Sequence, residues 1–195
     1  MPEIPDLEVI KEFLNDRIAG QEIVRVEAPK PWIVRSLAAD DFADDIRGRS
    51  FGKILRQGKD LLFPLDPDRV LVINLMLTGH LQYTEPSTRM SKRTFFVLGT
   101  PEMDLWYLDD RQMGLVYYLR PDQLDQVPRL QGQGPDALDG GLSLEEFREQ
   151  IRPFRGEIKG VLARGEVPLR HRQRVRRRDS LGGQRLAFPQ AHDAY

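Results

Sequence analysis

The first residues of the chain, Met1-Pro2-Glu3, could form a nucleophile beside an acid/base group. Methionine before a small residue such as proline is normally removed, which would give Pro2 a free secondary amine. An α-amine titrates near pH 8, well below lysine, so a useful fraction is unprotonated at neutral pH. Such an amine can attack an aldehyde-like sugar carbon to give an iminium, while Glu3 moves protons. Taken alone the signal is weak, because many proteins begin Met-Pro.

Three further positions could act in chemistry or binding. Lys59 opens the apolar run "KDLLF", although an ordinary surface lysine fits equally well. The stretch "LDDRQMG" places Arg111 and Met113 in a turn between two hydrophobic strands. An exposed arginine and an apolar tip could fill the gap left by a base extruded from DNA, although many hairpins carry such residues by chance. The two aspartates before Arg111 are interpreted as holding the turn and not as a catalytic pair.

Composition narrows the class of protein. The 195 residues are 40% hydrophobic, which is enough for one sizeable domain with a core. No apolar run approaches a membrane span, and the N-terminus lacks a signal-peptide layout, so a cytoplasmic protein without membrane contact is expected. Cysteine is absent and the three histidines are scattered, so neither disulfides nor a metal site are expected.

The net charge of −1 is unevenly distributed. Residues 161–195 carry eight arginines against three acidic residues, a charge of +5, which leaves −6 for residues 1–160. A basic segment on an acidic body favours a nucleic-acid partner, and a solvated tail without a role is the alternative.

Apolar periodicity predicts the order of elements. Pro5 and Asp6 suit the first turn of a helix, apolar residues at helical spacing follow, and Gly20 marks the expected end of the helix. A capping box at Ser143 and Glu146 starts a second helix, followed by the helical piece "GEIKGVLARG". Between them lie short strand-like runs with turn residues every 8–12 positions, typical of an antiparallel sandwich or barrel. These runs are "EIVRVEA", "SFGKILRQ", "DLLFPL", "RVLVINLML", "HLQYTE", "RTFFVLG", "MDLWYL" and "GLVYYL".

An ordered set of motifs resembles the formamidopyrimidine-DNA glycosylase family, which includes endonuclease VIII, over residues 1–165. The set is "MPEIPDLEV", "GKDLLF", "NLMLTGHL", "YLDDRQMG" and "GQGPDAL". The resemblance implies an α+β fold: an N-terminal helix plus an antiparallel two-sheet β-sandwich, then a helix-two-turn-helix domain. We therefore expect a catalytic domain over residues 1–125, a linker over 126–141, the start of the helical domain over 142–165 and an aberrant, disordered basic tail over 166–195.

The resemblance also implies an activity: excision of oxidised bases from damaged double-stranded DNA and nicking of the abasic strand by β,δ-elimination. A monomer in the bacterial cytoplasm is expected. Pro2 is then the Schiff-base nucleophile, Glu3 its acid/base partner, and Lys59 the residue that contacts the phosphate beside the lesion and assists proton transfer.

Three positions align with the residues that the family inserts into the duplex: Leu77, Arg111 and Met113. Leu77 stands where methionine is common, Met113 where phenylalanine is common, and Asp6 where glutamate is usual. These departures leave the lesion and the opposite-base preference open.

The resemblance stops near residue 166. The family continues with a phosphate-binding phrase like G-I-G-N-x-Y-A-x-E and usually with a four-cysteine zinc finger, and neither is present. We therefore expect no cofactor, and a DNA clamp that is half missing should impair activity. Two alternatives stay open: a non-catalytic nucleic-acid-binding module that uses the arginine-rich tail, and an inactive truncated product.

The arginine-rich stretch "RHRQRVRRRDS", Arg170 to Ser180, has an explanation in its codons. If arginine is encoded by CGN, reading the same bases one nucleotide later permits G-I-G-N-A-Y-A-D-E-I at all ten codons. We infer that the reading frame slips by one base between Glu166 and Leu169.

Sequencing the DNA that encodes codons 160–195 tests this inference. CGN codons and a shifted continuation of the family pattern are expected. AGA or AGG codons in the arginine run, or no shifted continuation, would show that the frame does not slip.

Overall fold

The structure is a computed structural model that describes residues 2–131, 143–157 and 160–161. The chain divides after Pro128 into two units. In the first unit lie two helices, ten strands and two short 3-10 helices; the described part of the second holds one eight-residue helix and two further helical residues, 160 and 161. No helix among the described residues is long and apolar enough to cross a membrane.

Helix α1 spans Ile4–Ile18 and packs one face against the sandwich. Leu7, Leu14 and Ile18 are buried at the spacing that places side chains on one side of a helix. The chain leaves the helix at Gly20, whose φ of 82° ends it where the sequence predicted.

Ten strands follow, and the longer ones are formed by mostly apolar segments. Their bounds are β1 Arg25–Glu27, β2 Val34–Ser36, β3 Ser50–Phe51, β4 Leu55–Gln57, β5 Asp60–Asp66, β6 Arg69–Asn74, β7 Gly79–Thr84, β8 Thr94–Gly99, β9 Asp104–Asp109 and β10 Leu115–Leu119. One sheet has the order β1-β8-β9-β7, and the other has the order β2-β10-β6-β5-β3, with β4 also paired to β5. All these pairs are antiparallel except β2 with β10. The predicted α+β fold, a helix followed by two antiparallel-rich sheets, is confirmed.

Two details of the sandwich differ from the sequence prediction. The run "SFGKILRQ" forms two strands and not one. Between them, the backbone groups of Ile54 bond to the Asn15 side chain of helix α1 and not to a neighbouring strand. Strand β2 and helix α2, Phe42–Ile46, were not predicted, since three and five residues are too short to show a period. Helix α2 nevertheless has a sequence signal in Asp41, whose carboxylate accepts hydrogen bonds from the backbone N–H groups of Ala43 and Asp44.

Aromatic contacts join the two sheets through helix α2. Phe42 lies 5.9 Å, centroid to centroid, from Phe96 of the first sheet and 6.1 Å from Tyr118 of the second. Phe96 in turn stacks on Tyr107 at 5.2 Å. Edge-to-face and offset contacts of this kind add to the burial of the rings themselves. The core is therefore continuous from α2 across both sheets.

In the second unit, helix α3 spans Leu144–Ile151 and begins at the predicted capping box. The backbone N–H of Glu146 donates to Ser143 Oγ at 3.2 Å, and the Ser143 N–H donates to Glu146 Oε2 at 2.8 Å. Of the predicted helical piece "GEIKGVLARG", residues 160 and 161 are helical, while residues 158, 159 and 162–165 lie outside the described residues. Residues 132–142 of the linker and the basic tail also lie outside them. The domain boundaries at 125, 141 and 165 stay predictions.

Asn15 fixes helix α1 to the sandwich, and its removal tests that contact. Its side chain donates to the Ile54 carbonyl at 3.0 Å and accepts from the Ile54 N–H at 2.7 Å. Asn15→Ala should lower the free energy of unfolding by about 2–4 kcal/mol, because two backbone groups lose their partners. Urea denaturation measures the change.

The neighbouring substitution Asp16→Ala is the control, since Asp16 lies on the exposed side of the same helical turn. Its effect should stay within about 0.5 kcal/mol. Equal midpoints for the Asn15 and Asp16 variants would show that the contact with Ile54 does not hold the helix.

Candidate functional site

The start of helix α1 positions the first two candidate residues. Glu3 is the N-cap of the helix, and its backbone N–H donates to Asp6 Oδ2 at 2.8 Å. The shorter aspartate at position 6 thus completes the reciprocal half of a capping box, a role in which glutamate is common. Pro2 precedes the cap and is partly buried. The local fold therefore holds the Pro2-Glu3 segment in a defined geometry at a helix N-terminus, whose partial positive charge favours a carboxylate.

Lys59 reaches the same place from a tight turn. Gly58 and Lys59 form the two-residue turn between β4 and β5, where Gln57 pairs with Asp60. Gly58 has a φ of 58°, which the primed hairpin turns require at their first central position. Lys59 Nζ lies 3.3 Å from Glu3 Oε1, and both side chains are mostly buried, at 16% and 14% exposure. The structure thus brings together an acid and a base that are 56 residues apart in the chain.

A second ion pair, which the sequence analysis missed, supports this turn. Arg56, with 3% of its side chain exposed, donates to Glu8 of helix α1 and to the carbonyl of Gly58 at 2.9 Å. Burial alone would raise the pKa of Glu8, but hydrogen bonds from Lys11 and Arg56 outweigh it and lower the pKa. The helix and the lysine turn are therefore held together by charge. An arginine inside the apolar run "KILRQ" was the one available signal.

The other three predicted residues lie on two loops at one end of the strands of the first sheet. Leu77 is in the β6–β7 loop, 75–78, and Arg111 and Met113 are in the β9–β10 loop, 110–114. Strands β7 and β9 are neighbours, with Gly79 opposite Asp109, so the two loops lie at the same end of the sheet. Leu77 and Met113 expose 49% and 38% of their surface. The structure thus groups two exposed apolar side chains with an exposed arginine; we call these two segments the wedge loops.

Each wedge loop contains a non-glycine residue in the left-handed region. Met76 has a φ of 48° and Gln112 a φ of 56°. Such residues cost free energy and persist where surrounding contacts fix them. For the first loop one such contact is the Met76 N–H, which donates to Asn74 Oδ1 at 3.1 Å. Asn74 also donates to the buried carboxylate of Asp60 at 2.8 Å, which links this loop to the strand that follows Lys59.

The carboxylate of Asp109 connects the two wedge loops. It is 2% exposed and accepts hydrogen bonds from the Thr78 hydroxyl, from Arg111 N at 3.1 Å and from Gly114 N at 2.7 Å. Burial would raise the pKa of Asp109, but these donors and the Met113 N–H lower it, so the group stays ionised. The prediction that Asp109 holds the turn is confirmed. Asp110 instead pairs with Arg93, 3.2 Å away.

Two glycines leave room for a hydroxyl between the loops. A Cβ on Gly114 would lie 1.7 Å from the Tyr107 hydroxyl oxygen, and one on Gly79 would lie 2.9 Å from it. The Tyr107 hydroxyl donates to Asp109 at 3.4 Å. The glycines of "LTGH" and "RQMG" are therefore required by close approach, a signal that the sequence contains but that only the structure explains.

Comparisons with known proteins agree with this arrangement. A family model described as the formamidopyrimidine-DNA glycosylase N-terminal domain matches residues 1–116. The formamidopyrimidine-DNA glycosylase of Desulforamulus reducens is 32% identical over 164 residues, which are 83% of this chain and 59% of that protein. The protein of the same name from Symbiobacterium thermophilum is 32% identical over 83% of this chain and 53% of its own length. The chain thus spans less than two thirds of the length of these relatives.

A solved structure shows the same fold. The crystal structure of Lactococcus lactis Fpg in complex with DNA that contains an abasic site superimposes with a TM-score of 0.76 at 25% identity, covering 86% of this chain and 62% of that one. The matched family model covers more than half of the chain, including the helix cap, the lysine turn and both wedge loops. The chain therefore belongs to the formamidopyrimidine-DNA glycosylase family.

Proposed function

We propose that the protein is a DNA base-excision repair glycosylase that removes oxidised bases and cleaves the abasic strand through an N-terminal proline Schiff base. The observation that carries the proposal is the 3.3 Å approach of Lys59 to Glu3, directly beside Pro2. A secondary amine next to a carboxylate and an ammonium group has the three functions that the reaction needs: a nucleophile, a proton carrier and a cation for phosphate.

The proposed chemistry proceeds through covalent intermediates on the nitrogen of Pro2. The unprotonated amine of Pro2, freed by removal of Met1, attacks C1′ of the damaged nucleotide, and the base leaves with the electron pair of the glycosidic bond and takes up a proton. Opening of the sugar gives an iminium. Loss of a proton from C2′ then expels the 3′ phosphate, a second elimination expels the 5′ phosphate, and water releases the amine. Glu3 carries these protons, and no cofactor is needed.

The wedge loops supply the second requirement, access to a base inside a duplex. Extrusion of a nucleotide leaves a gap that apolar side chains fill in other DNA-binding proteins. Leu77 and Met113 are exposed apolar side chains on adjacent loops, with the guanidinium of Arg111 beside them. We propose that these three side chains enter damaged double-stranded DNA, and that the protein acts as a monomer in the bacterial cytoplasm.

We further propose that the activity of this chain is impaired. Residues 166–195 lack the phosphate-binding phrase that the family resemblance implies for this region. Phosphate contacts supply much of the affinity of proteins for DNA, so their loss weakens binding, and the contacts that remain are strongest at low salt. The chemistry is therefore best measured at low ionic strength and at micromolar protein concentration.

Borohydride trapping tests the nucleophile. The wild-type chain should form a covalent adduct with an oligonucleotide that carries an abasic aldehyde, and Pro2→Gln should abolish it, since a large second residue retains Met1 and displaces the amine. Denaturing electrophoresis measures the adduct. An oligonucleotide with a tetrahydrofuran site, which has no aldehyde, is the control and should give none.

Two results would contradict this proposal. One is the absence of any wild-type adduct at low salt. The other is an adduct that forms at the same rate in the Pro2→Gln variant.

Single-turnover rates test the acid/base pair. Glu3→Gln and Lys59→Met should each slow adduct formation by about 10²-fold, the lower range for loss of a general acid or base. Lys53→Met is the matched control, because Lys53 is exposed and lies six residues earlier in the chain; its rate should match the wild type. A Lys59→Met rate equal to that of Lys53→Met would remove Lys59 from the mechanism.

A further inference from the structure

The hydrogen bonds of Asp109 reach further than its own turn. An aspartate that accepts from the N–H two residues later forms a common local motif, and the bond from Arg111 N is of this kind. Thr78, however, is 31 residues away in the chain, and Gly114 lies beyond the turn at the first residue before β10. One carboxylate thus binds donors from both wedge loops.

The free-energy cost of burying the Asp109 carboxylate argues against an incidental contact. A buried carboxylate is unfavourable unless hydrogen bonds replace the water it loses. Here the Thr78 hydroxyl and the Arg111 N–H approach Oδ1, and the Gly114 N–H and the Tyr107 hydroxyl approach Oδ2, so both oxygens are satisfied. The Thr78 hydroxyl oxygen also accepts from Arg111 N at 3.2 Å, so the two loops contact each other directly at this point.

The donors flank the exposed side chains on both loops. Thr78 follows Leu77, while Arg111 and Gly114 enclose Gln112 and Met113. Because Met76 and Gln112 adopt left-handed φ values, small changes in the anchoring bonds would let each loop relax independently. The contacts of Asp109 therefore fix residues directly beside Leu77 on one loop and beside Met113 on the other.

We propose that Asp109 is a positioning residue that locks the two wedge loops into one rigid unit, so that Leu77, Arg111 and Met113 enter a DNA duplex together. This inference rests on the proposed function. Asp109 is buried behind the loops and acts through the residues it binds. A chain without this lock would keep its covalent chemistry but lose the ability to hold an extruded nucleotide out of a duplex.

The test compares trapping on two substrates, abasic DNA in a duplex and the same strand alone. A single strand offers no stacked gap to fill, so only the duplex rate depends on the wedge loops. Asp109→Asn, which places an NH₂ donor against backbone donors, and Thr78→Val, which removes the hydroxyl, should each lower the duplex-to-single-strand rate ratio by about tenfold, the effect of losing one hydrogen bond to a charged group.

Asp104→Asn is the matched control. Asp104 is 1% exposed at the other end of strand β9, where it accepts from Arg25 and from Trp106 Nε1 at 3.2 Å. The same substitution there should lower stability without changing the rate ratio. A ratio unchanged in Asp109→Asn, or lowered equally in Asp104→Asn, would overturn the proposal.

A second measurement separates this inference from the proposed function. Amide hydrogen exchange at Arg111 and Gly114, followed by NMR without DNA, should be at least about tenfold faster in Asp109→Asn than in the wild type, because both N–H groups lose a charged acceptor. Unchanged exchange would refute the lock even if trapping through Pro2 succeeds. Fast exchange without any wild-type trapping would leave the lock intact and refute the glycosylase assignment.

Discussion

The two wedge loops at one end of the first sheet depend on the hydrogen bonds that the buried carboxylate of Asp109 accepts from both of them. Two loops leave neighbouring strands there, and neither is held by strand pairing. An ionised group in that position is stable only because hydroxyl and backbone donors surround it. The donors from Thr78, Arg111, Met113 and Gly114 belong to the two loops, so the same hydrogen bonds hold both loops in place. The glycines at positions 79 and 114 follow from the same constraint, since they make room for the Tyr107 hydroxyl.

The site that we propose as catalytic, formed by Pro2, Glu3 and Lys59, is assembled by a different set of contacts. Helix α1 is fixed along its length, by Asn15 on Ile54 near its end and by Glu8 on Arg56 near its start. Its N-terminus can therefore hold Glu3 against the turn that carries Lys59. The buried Asp60–Asn74 bond joins the strand after that turn to the first wedge loop. The site that we propose for the chemistry is thus linked to the first wedge loop through the buried polar side chains of Asp60 and Asn74.

The sequence was informative where a structural rule has a periodic or local signature. Short runs of apolar or alternating residues predicted all the longer strands, and the capping box at Ser143 predicted the start of helix α3. The order of five motifs indicated the family and named Pro2, Glu3 and Lys59. Contacts between distant side chains left no such signature. Asn15 is unremarkable in the sequence, Arg56 is marked only by its place within a strand-like run, and the role of Asp109 required knowing that Thr78 lies beside it. The three-residue strand β2 was missed because parallel pairing with β10 depends on the folded neighbour.

The central claim is that the nitrogen of Pro2 forms the covalent bond to DNA, although the amine of Lys59 lies within the same site. Peptide mapping by mass spectrometry of the borohydride-reduced adduct distinguishes these two nitrogens directly. We expect a sugar remnant on the N-terminal peptide, attached to Pro2 after loss of Met1. A remnant on the peptide that contains Lys59, with Pro2 unmodified, would contradict it.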